Sequence, residues 1–227
     1  MRVVQVIRNG WDYVNKILKW MLIVLGVILA GIALLVIIFL QEMKPDKEKE
    51  EQVKAKVEEY LKDHFSDRFE IYDTLYDNMG NFGFEYAAMV RDKTSGIQFF
   101  VYDDDQTNQM VDTYVAEKWK SDLESEIRPF IRENIGEKTD LYVYFDDKIG
   151  RELGIDWTDS RSYKDFDVAP TIRLTIPRKK SDEDERLFNE FISFLKSEDK
   201  LQQGKLIVGY VAETGELLEE NEWSKEF

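Results

Sequence analysis

The chain of 227 residues has no cysteine, one histidine (His64) and four prolines. The missing cysteine excludes disulfides, thiolate zinc sites, iron–sulfur clusters and a cysteine nucleophile. It also excludes the lipidated cysteine of a bacterial lipoprotein. A single histidine excludes multi-histidine metal centres, and a Ser-His-Asp triad would need His64 as its base. Basic charge is scarce too: 31 Lys and Arg stand against 46 Asp and Glu, a net charge of −15. Phosphate neutralisation needs clustered Lys and Arg, so no nucleic-acid partner is expected. Aromatic residues, at 13%, are too frequent for a mostly disordered acidic chain. A globular body is therefore expected outside the longest apolar run.

That run is Trp20–Leu40, WMLIVLGVILAGIALLVIIFL. As a helix it would span roughly 31 Å, against a hydrocarbon core of about 30 Å. A buried core helix rarely stays apolar on every face for so long. A signal peptide has a shorter apolar region and ends at small residues, whereas this run ends in Ile37, Ile38, Phe39, Leu40 and Gln41. The expectation is an uncleaved single-pass anchor over residues 20–40 in the cell membrane. Ahead of it, residues 1–19 carry Arg2, Arg8, Lys16 and Lys19 against Asp12. The flank after the span is mixed, with Glu42, Lys44, Asp46, Lys47, Glu48 and Lys49. The positive-inside rule then favours a cytoplasmic N-terminus and an extracytoplasmic C-terminal body. Trp11, Val14, Ile17 and Leu18 recur at helical spacing, which suits an amphipathic segment at the inner interface; a basic tail before the belt residue Trp20 reads the same residues more simply. Gly26 and Ala30 form one small-xxx-small pair, common in membrane helices and able to let two of them approach.

Pro45 and the charged residues 46–51 read as the end of a linker, residues 41–51. Val53, Val57, Tyr60, Leu61 and Phe65 then recur at helical spacing over Gln52–Phe65. His64 sits near the edge of that stripe and reads as a packed or surface side chain, since no Ser or Asp constellation points to it. Strand patterns follow at Arg68–Asp77, Phe84–Arg91 and Ile97–Asp103, joined by turn-rich NMGNFG and DKTSG, which predicts an antiparallel meander. A long helix is predicted over Asn108–Ile135, kinked or divided by Pro129 and stopped by Gly136. Leu141–Phe145 is a predicted strand, and residues 146–170 a long loop with one helical turn at Lys148–Leu153. A strand at Thr171–Ile176, a helix N-capped by Ser181 and a strand at Lys205–Ala212 complete the order. Thr214-Gly215 then turns the chain, and Leu217-Leu218 pairs back briefly. The fold class this predicts is α+β, with helices packed on an antiparallel-rich sheet. Residues 52–136 and 137–227 form either two small lobes or one domain.

The segments VKAKVEEYLKDHF and RFEIYDTLYDN, with two strands after them, resemble small envelope domains of Gram-positive bacteria. In PepSY-like and cystatin-like modules a helix leads into a sheet that curls around it. The anchored arrangement is similar to membrane-tethered families such as the YfjL-like proteins. The resemblance covers residues 50–103, implies a helix-plus-sheet envelope module and carries over no functional residue.

Two acidic regions are the candidates for chemistry. Asp103, Asp104 and Asp105, followed by Gln106, Thr107 and Asn108, could hold Ca²⁺, although the EF-hand spacing fails at Asn108 and Tyr114; the other reading is a solvated loop capping the next helix. Asp146, Asp147, Asp156, Asp159, Asp165 and Asp167 could form a cation site or supply the carboxylate pair of glycoside hydrolysis. Trp157, Tyr163 and Phe166 interleave with them, either as a stacking surface for sugar or peptide or as pins that hold a long loop to the core. Ser193–Lys196 spells S-x-x-K inside a predicted helix, without the companion motifs of serine acyl enzymes. No P-loop, Rossmann glycine pattern or H-E-x-x-H occurs. The sequence therefore assigns no catalytic, cofactor-binding or metal-ligating residue, and no cofactor is expected. The function it favours is a membrane-tethered, non-catalytic module binding a protein, peptide or cell-wall component through strand edges and the aromatic loop. A carboxylate- or cation-dependent envelope hydrolase and a cytoplasm-facing regulator of a membrane partner are the alternatives. The acidic body should be repelled by an anionic bilayer surface.

Overall fold

The computed structural model describes residues 2–212, 214–218 and 222–227, with side chains from Lys19 onward apart from Glu42. The chain divides into two units, Met1–Lys49 and Glu50–Phe227. The first is built on one helix, α1 (Arg2–Glu42). Within it Lys19–Gln41, 23 residues, is long and apolar enough to cross a membrane, and its most apolar window is not buried against protein. The side chains of Arg2, Arg8 and Lys16 and of the amphipathic stretch Trp11–Leu18 lie outside those described.

The second unit is α+β. It takes in α2 (Lys47–His64) from Glu50 on, and that helix starts ahead of the expected Gln52. The run read as the end of a linker is thus the helix's first turn. Pro45 cannot continue a helix backwards, and the Asp46 carboxylate accepts the Glu48 backbone N–H at 2.9 Å, as an N-cap does. Val57 and Leu61 face the core, with Val53, Tyr60 and Phe65 packed at its margin.

Four antiparallel strands follow in meander order: β1 (Phe69–Tyr76), β2 (Tyr86–Asp92), β3 (Gln98–Asp104) and β4 (Gln109–Asp112). β4 corrects the expected helix start at Asn108. Asp104 folds the acidic run into a hairpin turn, its carboxylate accepting from Gln106 N and Thr107 Oγ1. Asn108, at φ 51°, takes the left-handed position that Asn tolerates. The chain then pairs Met110 with Asp103 and Val111 with Tyr102. The four-residue spacing of Val111 and Val115 predicts one helix, but Val111 lies in a strand. The helix α3 (Tyr114–Phe130) begins only after Thr113. Past Pro129, which offers no N–H to the preceding turn, helical bonding widens into a π turn at Ile131–Ile135. Gly136 ends it at φ 151°, its N–H reaching the Ile131 carbonyl.

The second sheet runs β5-β6-β7-β8: β5 (Asp140–Tyr144), β6 (Thr171–Ile176), β7 (Lys205–Tyr210) and β8 (Trp223–Glu226). Between β5 and β6 lie the short helix α4 (Ile149–Leu153) and a 3-10 turn at Tyr163–Asp165. β6 and β7 are parallel, joined by α5 (Asp184–Ser197), and the other pairs are antiparallel. β8, at four residues, is too short to announce itself by alternation and differs from the expected order, which ends at Leu217-Leu218. Ser181 sits one turn ahead of α5: its N–H meets the Asp184 carboxylate, and Glu183 holds the cap position. Leu217 pairs back to Val211 in a single bridge.

One hydrophobic core runs from Val57 and Leu61 of α2 through Val90, Val101, Trp119, Leu123 and Ile127 to Leu174, Phe191 and Val208. Each half of the body thus carries a sheet, and both halves contribute to the same core. A smaller cluster of Phe84, Ala87, Tyr102 and Val111 lies apart from it, and the β1–β2 loop closes over it through Phe84.

Candidate functional site

The residues singled out by acidity land in local structural roles. Asp103 pairs with Lys56 of α2. Asp104 is buried and accepts from Lys148 Nζ at 2.6 Å and Thr107 Oγ1 at 2.8 Å, with Arg151 at 3.8 Å. Those hydrogen bonds, that from Lys148 first, hold its pKa down at about 2. The turn is therefore organised around a lysine, where a Ca²⁺ cage would need the oxygens left free.

The second acidic region is dispersed in the same way. Asp146 caps Lys148 N at 2.9 Å, and Asp156 accepts from the backbone and hydroxyl of Thr158. Asp159 grips its neighbour Arg161 through a fork of bonds, which keeps its pKa at about 2. Asp165 closes a capping box with Ser162. Asp167 accepts from Gln203. Asp147 is half-buried, and burial raises its pKa, helped by Asp146 and Glu117. Among the described residues no group of three or more His, Asp or Glu side chains is placed to hold a metal ion.

The aromatic residues of the long loop pin it down. Trp157 donates its indole N–H to the His64 carbonyl at 2.7 Å and packs edge-on to Phe69 at 5.4 Å. The Arg68 guanidinium lies over its ring at 5.2 Å. Tyr163 is buried among Phe145 and the Glu126 carboxylate, and Phe166 packs on Trp119. His64 is exposed, stacked on the Tyr60 ring at 4.3 Å.

Three polar arrangements were invisible to the sequence reading. The Tyr60 hydroxyl donates to Asp112 at 2.7 Å. Burial raises the pKa of Asp112 against that hydrogen bond and the one from Tyr114 N. Arg68 reaches buried Asp92 at 2.6 Å and the Tyr114 hydroxyl at 3.2 Å. Asp184, in the first turn of α5, is buried. It accepts a two-pronged contact from Arg178 at 2.7 and 2.8 Å and a third bond from Tyr210 at 2.8 Å. A basic residue six positions upstream was the only sequence signal for that pair.

Among the described residues, the feature left open is a face of the second sheet. Leu141, Val143, Ile172, Leu174, Leu206 and Val208 point into the core. α5 covers that side, with Phe188 against Trp223 and Asn189 bonded to Lys225. On the opposite side Tyr142 and Tyr144 are 49% and 44% exposed. The register sets Arg173 beside Tyr142 and Ile207 beside Arg173, and next to them Thr171 beside Tyr144 and Lys205 beside Thr171. The Lys120 ammonium lies 4.6 Å above the Tyr142 ring. The free edge of β5 is not open: Glu124 of α3 accepts the outward Val143 N–H at 3.0 Å.

The fold thus defines an α+β body behind a helix that could span a membrane. No protein-family model matches the chain, and neither a curated protein nor a solved structure matches it.

Proposed function

We propose that the protein is a single-pass membrane-tethered module, with its body outside the cytoplasm, that binds a protein, peptide or cell-wall component without catalysis. The observation that carries this reading is the open face of the second sheet. It sets two exposed tyrosines beside Arg173, Thr171 and Lys205 on a rigid strand framework. Tyr and Arg are the side chains that anchor interfaces, because they combine large contact area with directional hydrogen bonds. The orientation rests on the four basic side chains ahead of the span. Of the candidate carboxylates, Asp104, Asp156 and Asp159 are engaged by the protein's own Lys148, Thr158 N–H and Arg161, which favours binding over hydrolysis. The aromatic loop, tied down at Trp157, contributes stiffness to the body and not a free stacking surface.

Two measurements test the reading. Protease added to intact protoplasts should digest the body; protection until lysis would reverse the orientation and favour a cytoplasmic regulator. A photo-crosslinking amino acid at Tyr142 or Tyr144 should give an adduct in cells that is lost with Arg173→Ala. Adducts of equal yield from a probe at Glu198, exposed at the C-terminal end of α5, would overturn the assignment of the surface.

A further inference from the structure

The β1–β2 loop has the composition of a membrane contact. Residues 78–84 read NMGNFGF, seven positions without charge in a chain that is 34% charged. Met79, at 76% exposed, and Phe82, at 44%, are among the most exposed large apolar side chains of the second unit. The loop is not loose. Buried Asp77 at its base accepts from Met79 N at 3.0 Å and Phe82 N at 2.7 Å, which fixes the two residues on one small turn. Phe82 stacks on Phe84 at 5.1 Å, and Tyr76 on Tyr86 at 4.7 Å, the second pair at the foot of the loop. Tyrosines beneath an apolar tip are the arrangement that suits a bilayer interface.

The place of the loop in the body fits the same role. Thr74, near the end of β1, donates its hydroxyl to Glu50 at 3.0 Å, so the loop projects from the end of the body where α2 begins. Glu50 is nine residues beyond Gln41, the last residue of the candidate span. Nine residues reach at most about 30 Å when fully extended, and less here because the last of them are helical. The linker therefore limits how far Glu50, and the loop beside it, can stand from the end of the span. Repulsion of an acidic body from anionic lipid is screened beyond about 8 Å at physiological salt, and an uncharged tip is the part that can approach without it. From these observations we infer that Met79 and Phe82 insert into the interfacial layer of the bilayer and give the tethered body a second contact with lipid. The inference rests on Lys19–Gln41 being a membrane span.

The cysteine-free chain makes the test direct, because one introduced cysteine takes one label. The full-length protein carries an environment-sensitive fluorophore at Leu34→Cys, Asn81→Cys or Thr94→Cys. Each is reconstituted into phosphatidylcholine vesicles with and without brominated phosphatidylcholine. Thr94 lies in the β2–β3 turn, at the opposite end of β2, roughly 20 Å away along the strand. Quenching at Leu34 and Asn81 with none at Thr94 is expected, and the Asn81 signal should lose its quenching when Met79→Ser and Phe82→Ser are added. Quenching at Leu34 alone would overturn the inference and leave the span intact. No quenching at Leu34 would overturn the span and the inference together. Equal quenching at Asn81 and Thr94, or quenching at Asn81 that survives the serine substitutions, would place the body against lipid by some other surface and overturn the role of the two residues.

Discussion

Asp184 and Arg178 show how one buried carboxylate organises its surroundings. The Asp184 side chain is almost fully buried while Arg178 keeps contact with water. Burial raises the pKa of Asp184, and the bonds from Arg178, Ser181 N and Tyr210 outweigh it and hold the pKa below the ordinary value. Removing the arginine would leave a buried charge short of partners, which costs about 3 kcal/mol or more. Removing Arg186, whose bond to Glu190 lies in open solvent, should cost less than about 1 kcal/mol. Urea unfolding in detergent, followed by tryptophan emission, should separate Arg178→Ala from Arg186→Ala by that margin. Asp92 and Asp104 are depressed in the same sense as Asp184. Their contribution is complete above the unfolded carboxylate pKa of about 4 and is lost as pH falls through their folded values, about 2 for Asp104. Asp112 has the opposite sign. Its folded pKa is raised by burial, so its contribution is fully present below the unfolded value and declines as pH rises through the folded one. Asp112→Asn should accordingly stabilise the protein near pH 7, with the gain vanishing toward pH 4. A gain independent of pH would show that packing, and not ionisation, is the cause.

Elements are placed by close contacts that propensity does not foresee. α4 is a single helical turn, and Gly150 within it abuts the start of α3. A Cβ at Gly150 would stand 2.9 Å from Val115 Cγ2 and 3.2 Å from the Ile155 carbonyl oxygen. Helix propensity favours Ala over Gly by about 1 kcal/mol. The overlap works against it, because Val115 is β-branched and buried and the carbonyl belongs to the backbone. Gly150→Ala should therefore lower stability by about 1–3 kcal/mol, a sign opposite to the propensity scale, and a thermal melt would read it. α5 follows the simpler rule. Phe188, Phe191 and Leu195 are fully enclosed between the helix and the second sheet, so Phe191→Ala should cost about 3–5 kcal/mol. The same experiment on Phe194, which stacks on Phe130 at the margin, should cost less.

At the scale of the whole molecule, the hydrophobic core is continuous across the two halves of the body. Trp119 of α3 packs against Phe145 and Phe166 from beyond Gly136, and Phe130 against Phe191 and Phe194 of α5. Glu124 of α3 satisfies the edge of β5, and Lys148 neutralises buried Asp104 of β3. Fragments 50–136 and 137–227 would each expose one side of that core and break these pairs. Neither fragment alone should give dispersed amide NMR signals, whereas the intact body should unfold in one cooperative transition. Two separate transitions in the intact protein would show that the shared core does not couple the halves.

The apolar span, the α+β class and most helices and strands are legible in the residues themselves, because hydrophobic periodicity is a local property and the long elements repeat it several times. Residues 20–40 carry it on every face, and Thr171–Ile176 alternate cleanly enough to match β6 residue for residue. β4 and β8 are four residues each, too short for a period to show. The parallel pairing of β6 with β7 depends on where α5 lays the chain. Burial of Asp92, Asp104 and Asp184 was equally hidden. A carboxylate reads the same in sequence whether it meets water or an arginine folded onto it from elsewhere. Local pattern therefore determined what elements this chain makes and which of them could enter a membrane. Contacts between distant segments decided which acids are internal, which aromatics are pins and which sheet face stays open, since those depend on neighbours that only the folded chain brings together.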